Sequence, residues 1–217
     1  MNKSIKTKAV IFDRDGVIIN TEGIAIESIK EAFGKLGFIL EKEDISQIIG
    51  RSSTVYTEYF LKKWDFDPDE YRKIQRELFY KNLDSATFFE GTVKLVKSLH
   101  ERSVPIAMTT SAGKEGTKLI LNKVGIYEMF DVIVTREDCN NLKPHPEPYM
   151  ITTKNLEIDP EFCVAIEDTA LGVESAKKAG LKCIAIPNEY TKDQDFRLAD
   201  AVVSSAREIE SILEIIK

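Results

Sequence analysis

Four apolar residues, Ala9-Val10-Ile11-Phe12, run straight into two carboxylates one residue apart, Asp13 and Asp15, with Gly16 behind them. No other stretch limits the possible folds as much. A short apolar run without alternation reads as a strand buried on both faces, here from about Lys8 to Phe12. Acids at its end put negative charge at the carboxyl edge of a sheet, the edge where open α/β sheets bind ligands. Such a strand needs strands beside it, helices over both faces and partners for the two aspartates.

The chain after Gly16 changes rhythm. Ala25, Ile29, Ala32, Phe33 and Leu36 recur at helical spacing, with Gly37 as the stop. A short helix is expected over Glu43 to Ile49, ending at Gly50. Ser52 or Ser53 can cap the next, with Val55, Tyr59 and Phe60 on its face. Asp67-Pro68 opens another through Tyr71, Ile74 and Leu78, with Glu70 in the capping-box position. Thr21 to Ala86 therefore reads as all helix. From Gly91 strands and helices alternate. Strands are expected at Val104–Thr109, Asp131–Thr135, Phe162–Ile166, Lys182–Ile186 and Ala201–Val203. The helices lie between them, and a last one, capped by Ser205, runs to Ile216. Alternation of this kind implies right-handed parallel crossovers. The expected fold is α/β: a doubly wound, Rossmann-like parallel sheet built from residues 1–18 and 88–217, with a small all-helical cap domain, 19–87, inserted after the first strand.

Composition removes several functions. With 36 acidic against 30 basic residues in 217, the net charge of −6 argues against nucleic-acid binding. No run approaches the roughly 18 apolar residues that span a membrane. The lysine-rich start reaches Asp13 too soon for a signal peptide. Cys163 and Cys183 lie in apolar runs and read as buried reduced thiols, and with Cys139 the count of cysteines is odd. A soluble, cytoplasmic protein is expected.

Polar residues collect at the strand ends: Asp13 and Asp15, Thr109-Thr110-Ser111, Lys143, and Glu167-Asp168. In a parallel sheet these ends share one edge. Two carboxylates at about 4 Å repel by about 4 kcal/mol at an effective dielectric of about 20. One lysine cannot neutralise four acids, so the cluster calls for a cation, and hard oxygen ligands favour Mg²⁺. A metal, a lysine, a hydroxyl and loop amides together make an anion cradle. A carboxylate beside them is placed to attack phosphorus and form an aspartyl-phosphate.

Phe12-Asp13-Arg14-Asp15-Gly16-Val17, Thr110, Lys143-Pro144 and Ile166-Glu167-Asp168 resemble the four ordered motifs of the haloacid dehalogenase-like superfamily, over essentially the whole chain. The helical insertion resembles the small cap of β-phosphoglucomutase-like proteins and sugar-phosphate phosphatases. The resemblance implies Asp13 as nucleophile and Asp15 as general acid/base. Thr110 and the Ser111 amide would bind the transferring phosphoryl, and Lys143 would pair with Asp13. Asp13, the Asp15 carbonyl, Asp168 and Glu167 would hold Mg²⁺. It further implies a small phosphorylated metabolite as substrate, probed on the cap side by Asn20, Thr21 and Arg51, and a monomer or weak homodimer. The expected reaction is Mg²⁺-dependent hydrolysis of a sugar or polyol phosphate. A phosphosugar mutase is the alternative, weakened because Ala25 stands where such mutases carry a histidine. A phosphoacceptor signalling domain also clusters acids and a lysine, but lacks the cap and the acid/base position.

Each motif has a plainer reading. Asp15-Gly16 alone is an ordinary turn, and Thr110, Ser111, Glu167 and Asp168 can cap helices. Their ordered convergence favours the site. His145 reads as a loop histidine, and Trp64 and the cap tyrosines as packing. Arg14 replaces the apolar residue usual between the two aspartates. The sequence leaves three fates open to it: the cap, a neighbouring acid, or solvent.

Overall fold

The computed structural model describes residues 4–48 and 53–216, apart from the side chains of Thr54 and Asp84. The chain divides into two compact units, Met1–Ile19 with Phe88–Lys217, and Asn20–Thr87. It opens with β1 (Ile5–Thr7), β2 (Ala9–Phe12) and β3 (Ile19–Asn20). Four helices follow: α1 (Glu22–Lys35), α2 (Lys42–Ile45), α3 (Ser53–Lys63) and α4 (Pro68–Asn82). The chain returns through β4 (Thr87–Phe88), which pairs with β3. Then come α5 (Glu90–Glu101), β5 (Ile106–Thr109), α6 (Lys114–Lys123), β6 (Val132–Val134) and α7 (Glu147–Leu156). The last elements are β7 (Cys163–Glu167), α8 (Ala170–Lys178), β8 (Lys182–Ala185), β9 (Ala201–Val202), α9 (Ala206–Ile212) and β10 (Leu213–Ile215).

Six strands form one parallel sheet in the order β6-β5-β2-β7-β8-β9. β2 is central, and all four of its residues are buried. Alternation sends Val10 and Phe12 to one face and Ala9 and Ile11 to the other. The first face is bulky, with Ile106, Met108, Val164, Ile166 and Ile184 packed with Leu95, Val96 and Leu99 of α5 and Ile209 of α9. The second is built from small strand residues, Ala107, Cys163, Ala165, Cys183 and Ala185, against Tyr149 of α7 and Val173 and Ala176 of α8. Cys163 and Cys183 are free and buried there. The doubly wound α/β fold is as the sequence leads one to expect.

Some boundaries differ. The first strand is two: Ile5–Thr7 pairs with β10, and the Lys8 amide bonds the Phe162 carbonyl before β2 enters the main sheet. The last helix stops at Ile212 rather than Ile216, because Leu213–Ile215 lies parallel to β1 with Ile5 opposite Leu213. A segment as short as Leu213-Glu214-Ile215 satisfies either period, and here the ladder to β1 decides it.

In the other unit, the expected Glu43–Ile49 helix is the shorter α2, and Ile49, Gly50 and Ser52 lie outside the described residues. Val55 is exposed, and Tyr56 and Phe60 are the buried face of α3. α4 starts as its sequence implies, the Asp67 side chain accepting from the Asp69 amide with Pro68 in the first turn. Phe33 stacks on Tyr71 and Phe60 on Trp64, an aromatic core for the helices. No helix among the described residues is long and apolar enough to cross a membrane.

Candidate active site

Strand register assembles the site. Phe12 lies opposite both Met108 and Ile166. One residue further on, Asp13, Thr109 and Glu167 come abreast at the carboxyl edge. The loop before α7 brings in Lys143, whose Nζ donates to Asp13 Oδ1 at 2.6 Å, Glu167 Oε1 at 2.6 Å and the Thr109 carbonyl at 2.8 Å. That loop is held by Glu147, whose carboxylate accepts from the Asn140 and Asn141 amides. Ser175 of α8 donates to the His145 carbonyl. The His145 side chain stays in the loop, its Nδ1 accepting from the Glu147 amide at 3.2 Å.

Asp168 follows β7 directly. Its Oδ2 accepts from Asn188 Nδ2 at 2.9 Å. Asp13, Glu167 and Asp168 each offer a carboxylate oxygen, all within 4.8 Å of one another. Two glycines make room for this trio. A Cβ on Gly16 would overlap the Asp168 carboxylate, and one on Gly172 would overlap that of Glu167. Gly16 also has φ +78, a conformation that side chains disfavour.

Three buried acids face one lysine, and the electrostatics record it. Burial raises the Asp13 pKa to about 7; Lys143 opposes this, while Glu167 and Asp15 reinforce it. Burial, then Asp13 and Glu167, push Asp168 well above the usual carboxylate range. For Lys143, burial works against the charge, but Asp13 and Glu167 outweigh it and hold its pKa above that of an ordinary lysine. The donor set is hard oxygen with excess negative charge, which fits Mg²⁺. Asp13, Glu167 and Asp168 would hold the ion.

The remaining expected residues divide. Thr110 is buried after β5, its amide on the Val134 carbonyl and its Oγ1 accepting from the Ala112 amide at 3.0 Å. Ser111 is exposed in the turn leading to α6. A helix start beside such a turn is a natural anion site. The Asp15 carboxylate is not one of the metal-capable trio; Arg14 pairs with it, choosing the neighbouring acid among the three fates open to that residue. Asn20 and Thr21 belong to the helical unit, Thr21 as the N-cap residue of α1. Arg51 lies outside the described residues.

Two residues of the site carry no sequence signal. Tyr149 donates its hydroxyl to Glu167 Oε1 at 2.7 Å from inside α7. Asn188 stands in an aperiodic loop, brought to Asp168 because Glu167 and Ala185 lie opposite each other.

A sequence model of the family described as haloacid dehalogenase-like hydrolase matches residues 10–186. YhcW of Bacillus subtilis (strain 168), named as a phosphatase, is 30% identical over 209 residues, covering 95% of both chains. The bifunctional riboflavin kinase/FMN phosphatase of Arabidopsis thaliana is 27% identical over 214 residues. That match covers 96% of this chain, which spans only 56% of the plant protein. The crystal structure of a CbbY variant from Rhodobacter sphaeroides, in complex with xylulose-(1,5)bisphosphate, superposes with a TM-score of 0.81. Its identity is 25%, over 93% of this chain and 96% of that one.

Proposed function

The chain belongs to the haloacid dehalogenase-like hydrolases, and on that premise we propose that it is a Mg²⁺-dependent phosphatase of small phosphomonoesters, sugar or polyol phosphates foremost. It is a phosphoric monoester hydrolase. The observation that carries this reading is Lys143 bridging Asp13 and Glu167 at the sheet edge, beside Asp168. A nucleophilic carboxylate held by a lysine among metal-capable acids suits phosphoryl transfer, which is mostly positioning and charge stabilisation. The relatives add support, since the plant protein is named for FMN and CbbY was crystallised with a sugar bisphosphate.

In this reading an Asp13 oxygen forms a bond to phosphorus. The ester P–O bond breaks, and its electron pair stays on the leaving oxygen, which takes a proton from Asp15. Water then attacks the aspartyl-phosphate and gives its proton to Asp15. Inorganic phosphate leaves and Asp13 is restored. Thr110 and the Ser111 amide bind the phosphoryl oxygens, and Lys143 favours the Asp13 anion against the burial that opposes it. Mg²⁺, when bound, supplies the positive charge that lets the buried acids ionise together. Asn20, Thr21 and Arg51 are the proposed substrate contacts of the helical unit.

Phosphate release from sugar, polyol, nucleotide and glycolytic phosphates tests this, with Mg²⁺ or EDTA. The expected result is release that EDTA abolishes and that Asp13→Asn lowers by about 10³-fold or more. Interconversion of hexose 1- and 6-phosphates without release would favour the mutase.

A further inference from the structure

The residue between the two motif aspartates is an arginine buried to 4% exposure. A guanidinium taken that far from water must be paired. Its Nε donates to Asp15 Oδ2 at 3.0 Å, and its Nη2 to Oδ1 at 2.9 Å and Oδ2 at 2.8 Å. Its remaining nitrogen, Nη1, donates to Thr117 Oγ1 at 3.0 Å. The Thr117 hydroxyl in turn donates to the Gly113 carbonyl at 2.9 Å, at the start of α6. The Arg14 carbonyl accepts from the Ile18 and Ile19 amides, and the Gly16 amide bonds the Ile19 carbonyl, so the backbone is held as well. Neighbours in an extended strand point to opposite faces. Here β2 has ended at Phe12, and the turn at Gly16 lets adjacent side chains meet.

We infer that Arg14 is a positioning residue for Asp15, fixing the acid/base carboxylate in one place through a bond relay anchored on α6. The inference rests on the reading of Asp15 as the acid/base. That carboxylate serves twice, giving a proton to the leaving oxygen and taking one from water. A planar guanidinium gripping both oxygens fixes the orientation of the carboxylate as well as its position. The relay also ties Asp15 to the helix that follows the proposed phosphoryl-binding loop.

Leaving-group dependence tests it. p-Nitrophenolate departs without a proton, whereas the alkoxide of glycerol 2-phosphate needs one. kcat/KM for the two substrates, with Mg²⁺, is compared in the unmodified enzyme, Arg14→Met, Arg14→Lys and Asp15→Asn. Arg14→Met should lose about 10²-fold on glycerol 2-phosphate but only about 3-fold on p-nitrophenyl phosphate, as a misplaced acid would. Arg14→Lys should recover part of the loss. A structural role alone would lower both substrates together, and that result, or no loss, would overturn the inference. If Asp15→Asn itself shows no bias, the acid assignment fails and takes the inference with it. A biased Asp15→Asn beside an unbiased Arg14→Met defeats the inference alone. Should Arg14→Met not fold, Thr117→Val carries the same expectation at roughly 3- to 10-fold, since it removes one hydrogen bond of the relay.

Discussion

Lys143 answers to three oxygens at once, and that fixes what its loss would do. Removing one partner from a buried ion pair costs about 3–5 kcal/mol, because the charge left behind is uncompensated. Here Asp13 and Glu167 would both lose their contact at 2.6 Å. Lys143→Ala should therefore unfold at lower urea and should lose phosphatase turnover by about 10²-fold or more, Asp13, the proposed nucleophile, being harder to ionise. Tyr149→Phe separates structure from chemistry. It keeps the ring packed against the sheet and deletes only the hydroxyl on Glu167. A cost of about 1–3 kcal/mol in urea unfolding is expected from losing a hydrogen bond to a buried carboxylate oxygen that then keeps only Lys143. Full stability in Tyr149→Phe would mean that Lys143 alone satisfies Glu167.

At the scale of elements, two helical glycines should respond in opposite ways to alanine. In α8, a Cβ on Gly172 would collide with the Glu167 carboxylate, so Gly172→Ala should destabilise by roughly 1–3 kcal/mol and weaken Mg²⁺ binding in calorimetric titration. In α1, Gly34 is exposed with open space around it, and Gly34→Ala should stabilise by about 0.5–1 kcal/mol. Urea unfolding of the pair reads both signs. The same contrast shows what the sequence could and could not reveal. Hydrophobic period and helix stops located every strand of the main sheet, and the placement of acids and lysine at strand ends anticipated that Asp13, Lys143, Glu167 and Asp168 would meet. Residues that join through register alone were illegible. Asn188 reaches Asp168 only because Glu167 pairs with Ala185, and no local pattern announces it. The same holds for Leu213–Ile215, whose strand depends on a partner at the far end of the chain.

For the whole molecule, the acid cluster ties stability to pH and metal together. In the folded protein the Asp13 pKa stands at about 7 against 3.8 in a model peptide. A raised folded-state value means that the folded protein keeps a proton that the unfolded chain releases between those limits. Without metal, this group favours folding fully below 3.8, and that advantage is lost as pH rises towards about 7. The difference is worth about 4 kcal/mol. Asp168, raised by the same burial, acts in the same direction. A bound cation reverses the trend, since its ligands must be ionised and binding expels their protons. Urea midpoints in EDTA should therefore fall from pH 5 to pH 8, while midpoints in saturating Mg²⁺ should fall much less. The gap between the two should be small at pH 5. At pH 8 it should approach about 3 kcal/mol when Mg²⁺ is a hundredfold above its dissociation constant. Asp13→Asn, which cannot take up the proton, should flatten part of the EDTA slope. A Mg²⁺ gap of the same size at every pH would mean that the ion binds elsewhere than on the ionised forms of Asp13, Glu167 and Asp168.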